Sequence, residues 1–151
     1  MQQYKHPPER YSFKLLTFQG KMETIFTKII KGDIPCYKIA EDNDYFAFLD
    51  IRPSSKGHTL VIPKIQNDYI FDLSDEQLCG LILFAKKIAI ALKKSIPCER
   101  IGIKVIGLEV PHTHIHLIPI KVEGDMNHGK EMLKFTDEEF QEIAKTIILN
   151  L

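Results

Sequence analysis

The sequence predicts an α+β fold, in which helices pack on a five-stranded antiparallel sheet. Three observations predict it: five short strand-like segments, a long amphipathic segment between the third and fourth of them, and a second amphipathic segment near the carboxyl end. Most successive strands are separated by turns, which are typical of antiparallel hairpins. At 151 residues, 44% of them hydrophobic, the chain is long enough to bury a core as one domain.

The amino-terminal region changes character near Met22. Residues 5–10 are polar and contain two prolines, so we expect a disordered extension over residues 1–21, followed by one domain over residues 22–151. From Thr24, apolar side chains recur at helical spacing until Gly32, which is typical of a helix stop. The pattern therefore predicts a short first helix.

Five segments have the composition of strands, rich in β-branched and aromatic residues. A polar turn at residues 41–44 separates the first two, and a loop at 50–57, rich in Pro, Ser and Gly, precedes the third. A short link at 107–110 precedes the fifth. We expect the strands at residues 37–40, 45–49, 58–62, 101–106 and 111–119.

Capping boxes mark two further helices, because a Ser or Thr is followed three residues later by Glu or Gln. Ser74 with Gln77 opens a long helix whose apolar residues repeat as far as Leu92. Thr136 with Glu139 opens a terminal amphipathic helix. Residues 124–130, before that helix, are expected to form an open loop.

Charge and cysteine content exclude several classes of protein. Twenty basic residues balance twenty acidic ones, so no overall field attracts nucleic acid or an anionic membrane, and we expect neither as a partner. No apolar run is long enough to cross a bilayer. The three cysteines are widely spaced, which favours reduced thiols, buried or half-buried, and a cytoplasmic protein over a disulfide framework.

Three histidines at alternate positions form the candidate site: His112, His114 and His116. In a strand, residues two apart share a face, so the three imidazoles would line one side of the fifth strand. Each ring brings two nitrogens that need partners, and each can titrate near neutral pH. A functional site is favoured, although a core in which backbone and water satisfy all three rings stays open.

The spacing favours phosphoryl chemistry over a shared metal. Along a straight strand the Cα atoms of His112 and His116 would be roughly 13 Å apart, whereas zinc requires each nitrogen at about 2.1 Å. Two adjacent rings with His58 could still hold an ion, although we expect no metal and no cofactor. In phosphoryl transfer, one neutral ring attacks phosphorus while protonated neighbours hold its oxygens, and the central His114 is the natural nucleophile.

The histidine motif, residues 112–118, resembles the His-x-His-x-His signature of the histidine triad superfamily of nucleotide hydrolases and transferases. Residues 24–35 resemble the opening of its Hint branch, and residues 48–53 and 57–64 resemble its middle. The resemblance covers about Glu23 to Ile120, with four separate blocks in the right order.

The resemblance implies five antiparallel strands with helices, and a homodimer whose sheets join. It also implies transfer of a nucleoside monophosphate, here from a purine nucleotide, through a covalent nucleotidyl-histidine. Phosphoramidates or dinucleoside polyphosphates would be hydrolysed without a metal.

Residue by residue, the resemblance implies that His114 is the nucleophile, that His112 and His116 are its flanking partners, and that His58 packs against them. It implies that Asp50 accepts hydrogen bonds from ribose hydroxyls. The base would enter an apolar slot formed by Ile25, Phe26, Ile29, Phe48 and Ile51.

The stretch before the histidines departs from the Hint pattern. Residues 104–111 are several residues shorter than usual and lack the expected Asn, Gln and Ser, with Glu109 where a hydroxyl would face the phosphate. A carboxylate about 4 Å from a phosphate charge costs about 4 kcal/mol at an effective dielectric near 20. Glu109 is expected to point away; the alternatives are a protonated donor or a contact with a cationic part of the substrate. A nucleotide-binding or partner-binding module with little catalytic activity is the alternative function.

Overall fold

The computed structural model describes residues 22–127 and 131–151, and within them it confirms the α+β class with a five-stranded antiparallel sheet. The strands are β1 (Lys38–Glu41), β2 (Tyr45–Leu49), β3 (Thr59–Pro63), β4 (Arg100–Lys104) and β5 (Ile115–Ile120), in the sheet order β1-β2-β3-β5-β4. The helices are α1 (Ile25–Lys31), α2 (Asp75–Ser95) and α3 (Asp137–Ile148). The expected extension at 1–21 lies outside the described residues, and the domain assignment stays a prediction.

The predicted helix ends are confirmed. Thr24 caps α1 by accepting a hydrogen bond from the Thr27 amide at 3.1 Å, and Gly32 ends that helix in a left-handed conformation, at φ 82°. Complete capping boxes start the other two helices, Ser74 with Gln77 at α2 and Thr136 with Glu139 at α3.

The two faces of the sheet carry different cores. Helices α2 and α3 cover one face, where Val61 and Leu117 belong to the large apolar cluster that includes Leu81 and Ile88 of α2. The other face carries α1 and a smaller cluster: Phe26, Phe46, Phe48, Leu60 and Ile62. In the ladder, His116 pairs with Leu60 on one side and with Lys104 on the other, so both share its face. The histidines therefore lie on the less covered face.

The histidine strand starts later than predicted. Strand β5 begins at Ile115, so only His116 of the three histidines belongs to the ladder. Upstream, the Thr113 amide donates to the Asn67 carbonyl at 2.6 Å, and the His112 amide donates to the Val110 carbonyl at 2.8 Å. These bonds replace pairing with a neighbouring strand, which is why regular β-structure ends there.

Smaller differences concern boundaries and exposure. Strand β4 ends at Lys104 rather than at residue 106, and β1 and β3 lie one residue later than predicted. A 3₁₀ turn at Glu123–Met126 includes the first three residues of the expected open loop. All three cysteines are free; Cys36 and Cys98 are half-buried as expected, but Cys79 is exposed, so the prediction was wrong for it. Across the described residues, no helix has the length and apolar character that a membrane crossing requires.

Candidate active site

A cavity of about 250 Å³ opens on the α1 side of the sheet, beside the histidines. It brings together four of the predicted site residues: Asp50, His58, His114 and His116. The loop after β2 supplies Asp50, β5 supplies His116, and the segment just before β5 supplies His114. Further lining comes from β4 and the short link that follows it, which supply Lys104, Ile106, Gly107, Leu108 and Glu109. The other lining residues are Arg52, Ser54, Asn127 and Met132.

One hydrogen bond orients the ring of His114. Its Nδ1 lies 2.7 Å from the carbonyl oxygen of His112. Because a carbonyl oxygen can only accept, Nδ1 carries the proton, and in the neutral ring the lone pair is on Nε2. The edge contact with Phe26, at 5.1 Å between ring centroids, packs the ring from the side of α1. In its neutral form, His114 thus offers Nε2 as the unprotonated nitrogen, in a fixed orientation at the cavity wall.

Successive hydrogen bonds fix the tautomers of His58 and His116. The Ser54 amide donates to Nδ1 of His58 at 3.2 Å, so neutral His58 carries its proton on Nε2. That Nε2 lies 3.0 Å from Nδ1 of His116 and 3.7 Å from a carboxylate oxygen of Asp50. His116 accepts at Nδ1 and therefore carries its own proton on Nε2. It presents this nitrogen as a hydrogen-bond donor.

His116 is neutral at physiological pH. Burial, followed by repulsion from His114 and His58, lowers its pKa to about 3. The expectation that protonated rings flank the nucleophile is therefore wrong for His116. Its ring can donate a hydrogen bond to a phosphoryl oxygen but brings no positive charge to it.

His112 occupies a different environment from the other two members of the motif. It is fully buried and is not among the residues that line the cavity. Its Nε2 donates to the Pro63 carbonyl at 2.8 Å, and its Nδ1 accepts from the Thr24 hydroxyl at 2.9 Å. The three rings therefore do not form one row that faces a ligand, because His112 lies behind the cavity wall.

The residues around His112 were not predicted from the sequence. The Thr27 hydroxyl donates to Oε1 of Gln66 at 2.8 Å, beside the contact of Thr24 with His112, and the Gln66 amide reaches the Met22 carbonyl at 2.9 Å. Thr24 is recognisable in the sequence as a helix cap, but no spacing signal connects it with a histidine 88 residues further on.

The predicted apolar slot lies next to the cavity rather than in its wall. Phe26 and Phe48 are buried with ring centroids 5.6 Å apart, and Ile29 packs against them half-buried. Ile25 and Ile51 are 48% and 68% exposed. None of these five residues is among those that line the cavity. Their role in binding a base stays a prediction.

Asp50 forms a turn and borders the cavity, and its role towards a ribose stays a prediction. One carboxylate oxygen accepts the Arg52 amide at 2.8 Å, which forms a tight polar turn. The other oxygen faces His58, and the half-buried side chain borders the cavity. The carboxylate is therefore rigidly placed beside the histidines.

Glu109 lies at the cavity rim and pairs with the protein itself. Its carboxylate accepts from the Arg52 guanidinium at 3.0 Å, and both exposed side chains border the cavity. The expectation that the carboxylate points away from a bound phosphate stays a prediction. Neither of the two alternatives included a cation supplied by the chain, because Arg52 is 57 residues earlier.

The site also contains a possible set of metal ligands. Ligand atoms of Asp50, His58 and His116 lie within 4.8 Å of one another. An ion there would have to displace the hydrogen bond between His58 and His116, since both nitrogens of that bond would become ligands. The metal alternative thus uses one histidine of the motif rather than two.

Comparisons with known proteins agree with this architecture. A family model described as "HIT domain" matches residues 31–122. An uncharacterized HIT-like protein of Methanocaldococcus jannaschii is 42% identical over 116 residues, which are 74% of this chain and 85% of that protein. An adenosine 5'-monophosphoramidase of Schizosaccharomyces pombe is 43% identical over 103 residues, which are 65% of this chain and 74% of that protein.

Among solved structures, a Hit-like protein of Bartonella henselae, described as involved in cell-cycle regulation, has a TM-score of 0.74 and 36% identity. The alignment covers 85% of this chain and 96% of that structure. Fold and motif define a histidine triad protein. The chain belongs to the HIT family.

Proposed function

We propose that the protein is a hydrolase or nucleotidyl transferase that acts on the α-phosphate of a purine nucleotide, such as a phosphoramidate or a dinucleoside polyphosphate. The observation that carries the proposal is the bond from His114 Nδ1 to the His112 carbonyl, which makes Nε2 the unprotonated nitrogen of the neutral ring, beside the cavity. The similarity to an adenosine 5'-monophosphoramidase supports the reaction class.

In the first step, the lone pair of His114 Nε2 forms a bond to the α-phosphorus. The bond from phosphorus to the leaving atom breaks, and that atom departs with the electron pair and takes a proton from water at the open side of the cavity. The product is a nucleotidyl group on His114.

In the second step, a water molecule attacks the same phosphorus and the bond to Nε2 breaks, which returns the electron pair to the ring. The attacking water gives up a proton that balances the one taken by the leaving group. The sum is one substrate plus one water giving a nucleoside monophosphate and the free leaving group. An acceptor other than water would make the same reaction a transfer.

The other histidines support the nucleophile in distinct ways. His116 donates from Nε2 to a phosphoryl oxygen, and His58 holds the required tautomer of His116. His112 does not touch the substrate, because both of its ring nitrogens are held by buried protein groups, so it acts as a positioning residue. Its carbonyl, rather than its ring, orients His114.

The nucleoside would be held beside this centre. Asp50 is rigid and borders the cavity, so its carboxylate can accept hydrogen bonds from ribose hydroxyls. The base would pack on the adjoining apolar group: Ile25, Phe26, Ile29, Phe48 and Ile51. Two of these side chains are substantially exposed, which supports a surface slot rather than an enclosed pocket.

Substitution of the nucleophile tests the proposal. The variant His114→Ala should lose turnover of an adenosine phosphoramidate by at least about a thousandfold and keep the unfolding curve of a folded protein. Lys87→Met, on the exposed side of α2, is the control and should retain full activity. Equal rates for His114→Ala and the parent protein would refute the assignment.

A binding module with little catalysis is the second candidate, and the rim of the cavity favours it. The carboxylate of Glu109 stands at the cavity and the link before the motif is short, so the leaving group has fewer donors than the Hint pattern supplies. Calorimetry with AMP and GMP beside a rate assay separates the two. Tight binding without turnover across phosphoramidates and dinucleoside polyphosphates would favour the module.

We also propose a homodimer in the cytoplasm. Strand β4 is an edge of the sheet, and the side of it that faces α2 carries Ile103, which is 55% exposed. Three apolar residues of α2 are exposed as well: Ile82, Leu83 and Ile90. An open edge beside apolar side chains fits a partner copy. Light scattering should give twice the chain mass, and Ile103→Lys should give the monomer.

A further inference from the structure

Lys104 brings to the cavity a positive charge that the mechanism above does not use. Lys104 ends strand β4 and is the ladder partner of His116, so its side chain lies on the same face of the sheet. It is half-buried and lines the cavity together with His114 and His116.

The charges around Lys104 are unevenly compensated. Four charged residues line the cavity among those described: Asp50, Arg52, Lys104 and Glu109. Arg52 and Glu109 neutralise each other at 3.0 Å, whereas no carboxylate in the described part of the chain lies within 4.0 Å of the Lys104 ammonium. The attraction of Asp50 acts on Lys104 from a longer distance.

One polar contact orients the ammonium and leaves donors unused. Nζ of Lys104 donates to the Met126 carbonyl at 3.1 Å. An ammonium has three N–H donors, so two of them can serve a ligand. Partial burial lowers the pKa of Lys104, which reflects the cost of a charge that the protein does not fully compensate.

The neighbouring histidines offer a phosphoryl group few hydrogen-bond donors. Nδ1 of His114 is bonded to the His112 carbonyl and Nδ1 of His116 to His58, so each ring has only Nε2 left, and that of His114 is the attacking atom. Lys104 lies opposite His116 in the ladder and lines the same cavity, so its ammonium is placed to reach a phosphoryl group bound between the rings.

We propose that the Lys104 ammonium binds the phosphoryl oxygens of the nucleotide and supplies the positive charge that compensates them. The inference rests on the proposed function and adds a substrate-binding residue to it. It also places a requirement on the ligand: the group held beside His116 must be an anion, so a nucleoside without phosphate would gain nothing from Lys104.

Calorimetry on two variants tests this assignment with a readout that does not depend on turnover. AMP, adenosine and inorganic phosphate are titrated into the parent protein, Lys104→Met and Lys104→Arg, with Lys87→Met of α2 as the matched loss of a surface charge. Charge-assisted hydrogen bonds are strong enough for a loss of roughly tenfold to a hundredfold in AMP affinity for Lys104→Met. Lys104→Arg should recover part of it, and adenosine affinity should not change.

Each outcome decides the assignment. Equal AMP affinity of Lys104→Met and the parent protein would overturn it while leaving the nucleotide function intact. Equal losses for AMP and adenosine would also overturn it, because they indicate a damaged fold. If the parent protein binds neither AMP nor adenosine, the proposed function and this inference fall together. If the affinity for inorganic phosphate depends on Lys104 to the same extent as the affinity for AMP, the protein recognises the anion alone.

A pH profile adds an independent check. With Lys104 protonated, kcat/KM should be constant through neutral pH and should fall at alkaline pH, below the range of an ordinary lysine, as the ammonium loses its proton. Lys104→Met should lack that alkaline decrease. A decrease of the same size and position in Lys104→Met would assign it to another group and contradict the proposal.

Discussion

The environments of His112 and His116 differ although the two residues are only four positions apart in one motif. His112 is sealed in the core, where the Thr24 hydroxyl and the Pro63 carbonyl match its two nitrogens. His116 is half-buried, shares one nitrogen with His58 and presents the other to a cavity. The difference shows that histidines at alternate positions identify a motif but do not reveal the function of each histidine. Partners and exposure decide whether an imidazole holds the fold or meets a ligand.

The largest effect is expected on the cavity side. His116→Ala removes the donor to the phosphoryl oxygen, so kcat should fall on the order of a hundredfold to a thousandfold. The free energy of unfolding should fall by only about 1 kcal/mol, less than for His112→Ala, because the ring borders the cavity and the lost protein contact is the one bond from His58. Rates with an adenosine phosphoramidate and a urea unfolding curve measure both quantities. A variant that stays active but unfolds readily would reverse the roles assigned to the two residues.

His112→Ala should show the opposite balance. It leaves a buried hydroxyl and a buried carbonyl without their partner and creates a cavity, so the protein should lose roughly 2–4 kcal/mol of stability. The remaining folded fraction should keep activity within about tenfold, since the His112 carbonyl that orients His114 is backbone. Chemical denaturation gives the first value. A loss of activity as large as that of His116→Ala at full stability would contradict a positioning role.

The stability of the protein at acidic pH should depend on His116, because its ring is neutral in the folded state. Its pKa is about 3 in the folded protein and near 6.5 when unfolded. The unfolded chain therefore binds the extra proton first, and stability is lost as the pH falls from 6.5 towards 3, by at most about 1.4 kcal/mol per pH unit from this group. His116→Asn should flatten that part of the stability profile. Parallel profiles for the two proteins would show that His116 is not the group responsible.

The hydrogen bond from Thr24 to His112 can be separated from helix capping. Thr24→Val and Thr136→Val each remove an N-cap hydroxyl, but only Thr24 also holds a histidine. Each variant should lose about 1 kcal/mol from the cap, and Thr24→Val should lose about 1 kcal/mol more. Thermal or urea unfolding of the pair measures the difference. Equal losses would remove Thr24 from the support of His112.

The smallest effect is expected at the rim. Arg52 and Glu109 form an exposed pair, and such pairs contribute about 0–1 kcal/mol. Arg52→Gln should therefore leave the unfolding curve nearly unchanged. A loss above about 2 kcal/mol would show that the pair fastens the two loops at the cavity.

Local chemistry in the sequence predicted much of the fold. The capping residues Ser74, Gln77, Thr136 and Glu139 act within one helical turn, so their roles are visible in the spacing, and the structure confirms them. The late start of β5 was not predictable in this way, because the bond from Thr113 to the Asn67 carbonyl connects distant segments.

The candidate site, like the fold, was predicted only in part from the sequence. The motif and the resemblance selected Asp50, His58, His114 and His116, and the structure brings these four together at one cavity. Lys104 could not be recognised, since its position opposite His116 depends on the register of two strands. Long-range register and burial, rather than the identity of residues, account for what the sequence left open.

Mass spectrometry of enzyme quenched during turnover tests the central claim most directly, because the claim is that Nε2 of His114 becomes bonded to phosphorus. With an adenosine phosphoramidate, the account predicts an added adenylyl mass on the peptide that contains His114, absent from His114→Ala. Turnover at full rate with the adduct on another residue, or with no adduct under conditions that preserve phosphohistidine, would contradict it.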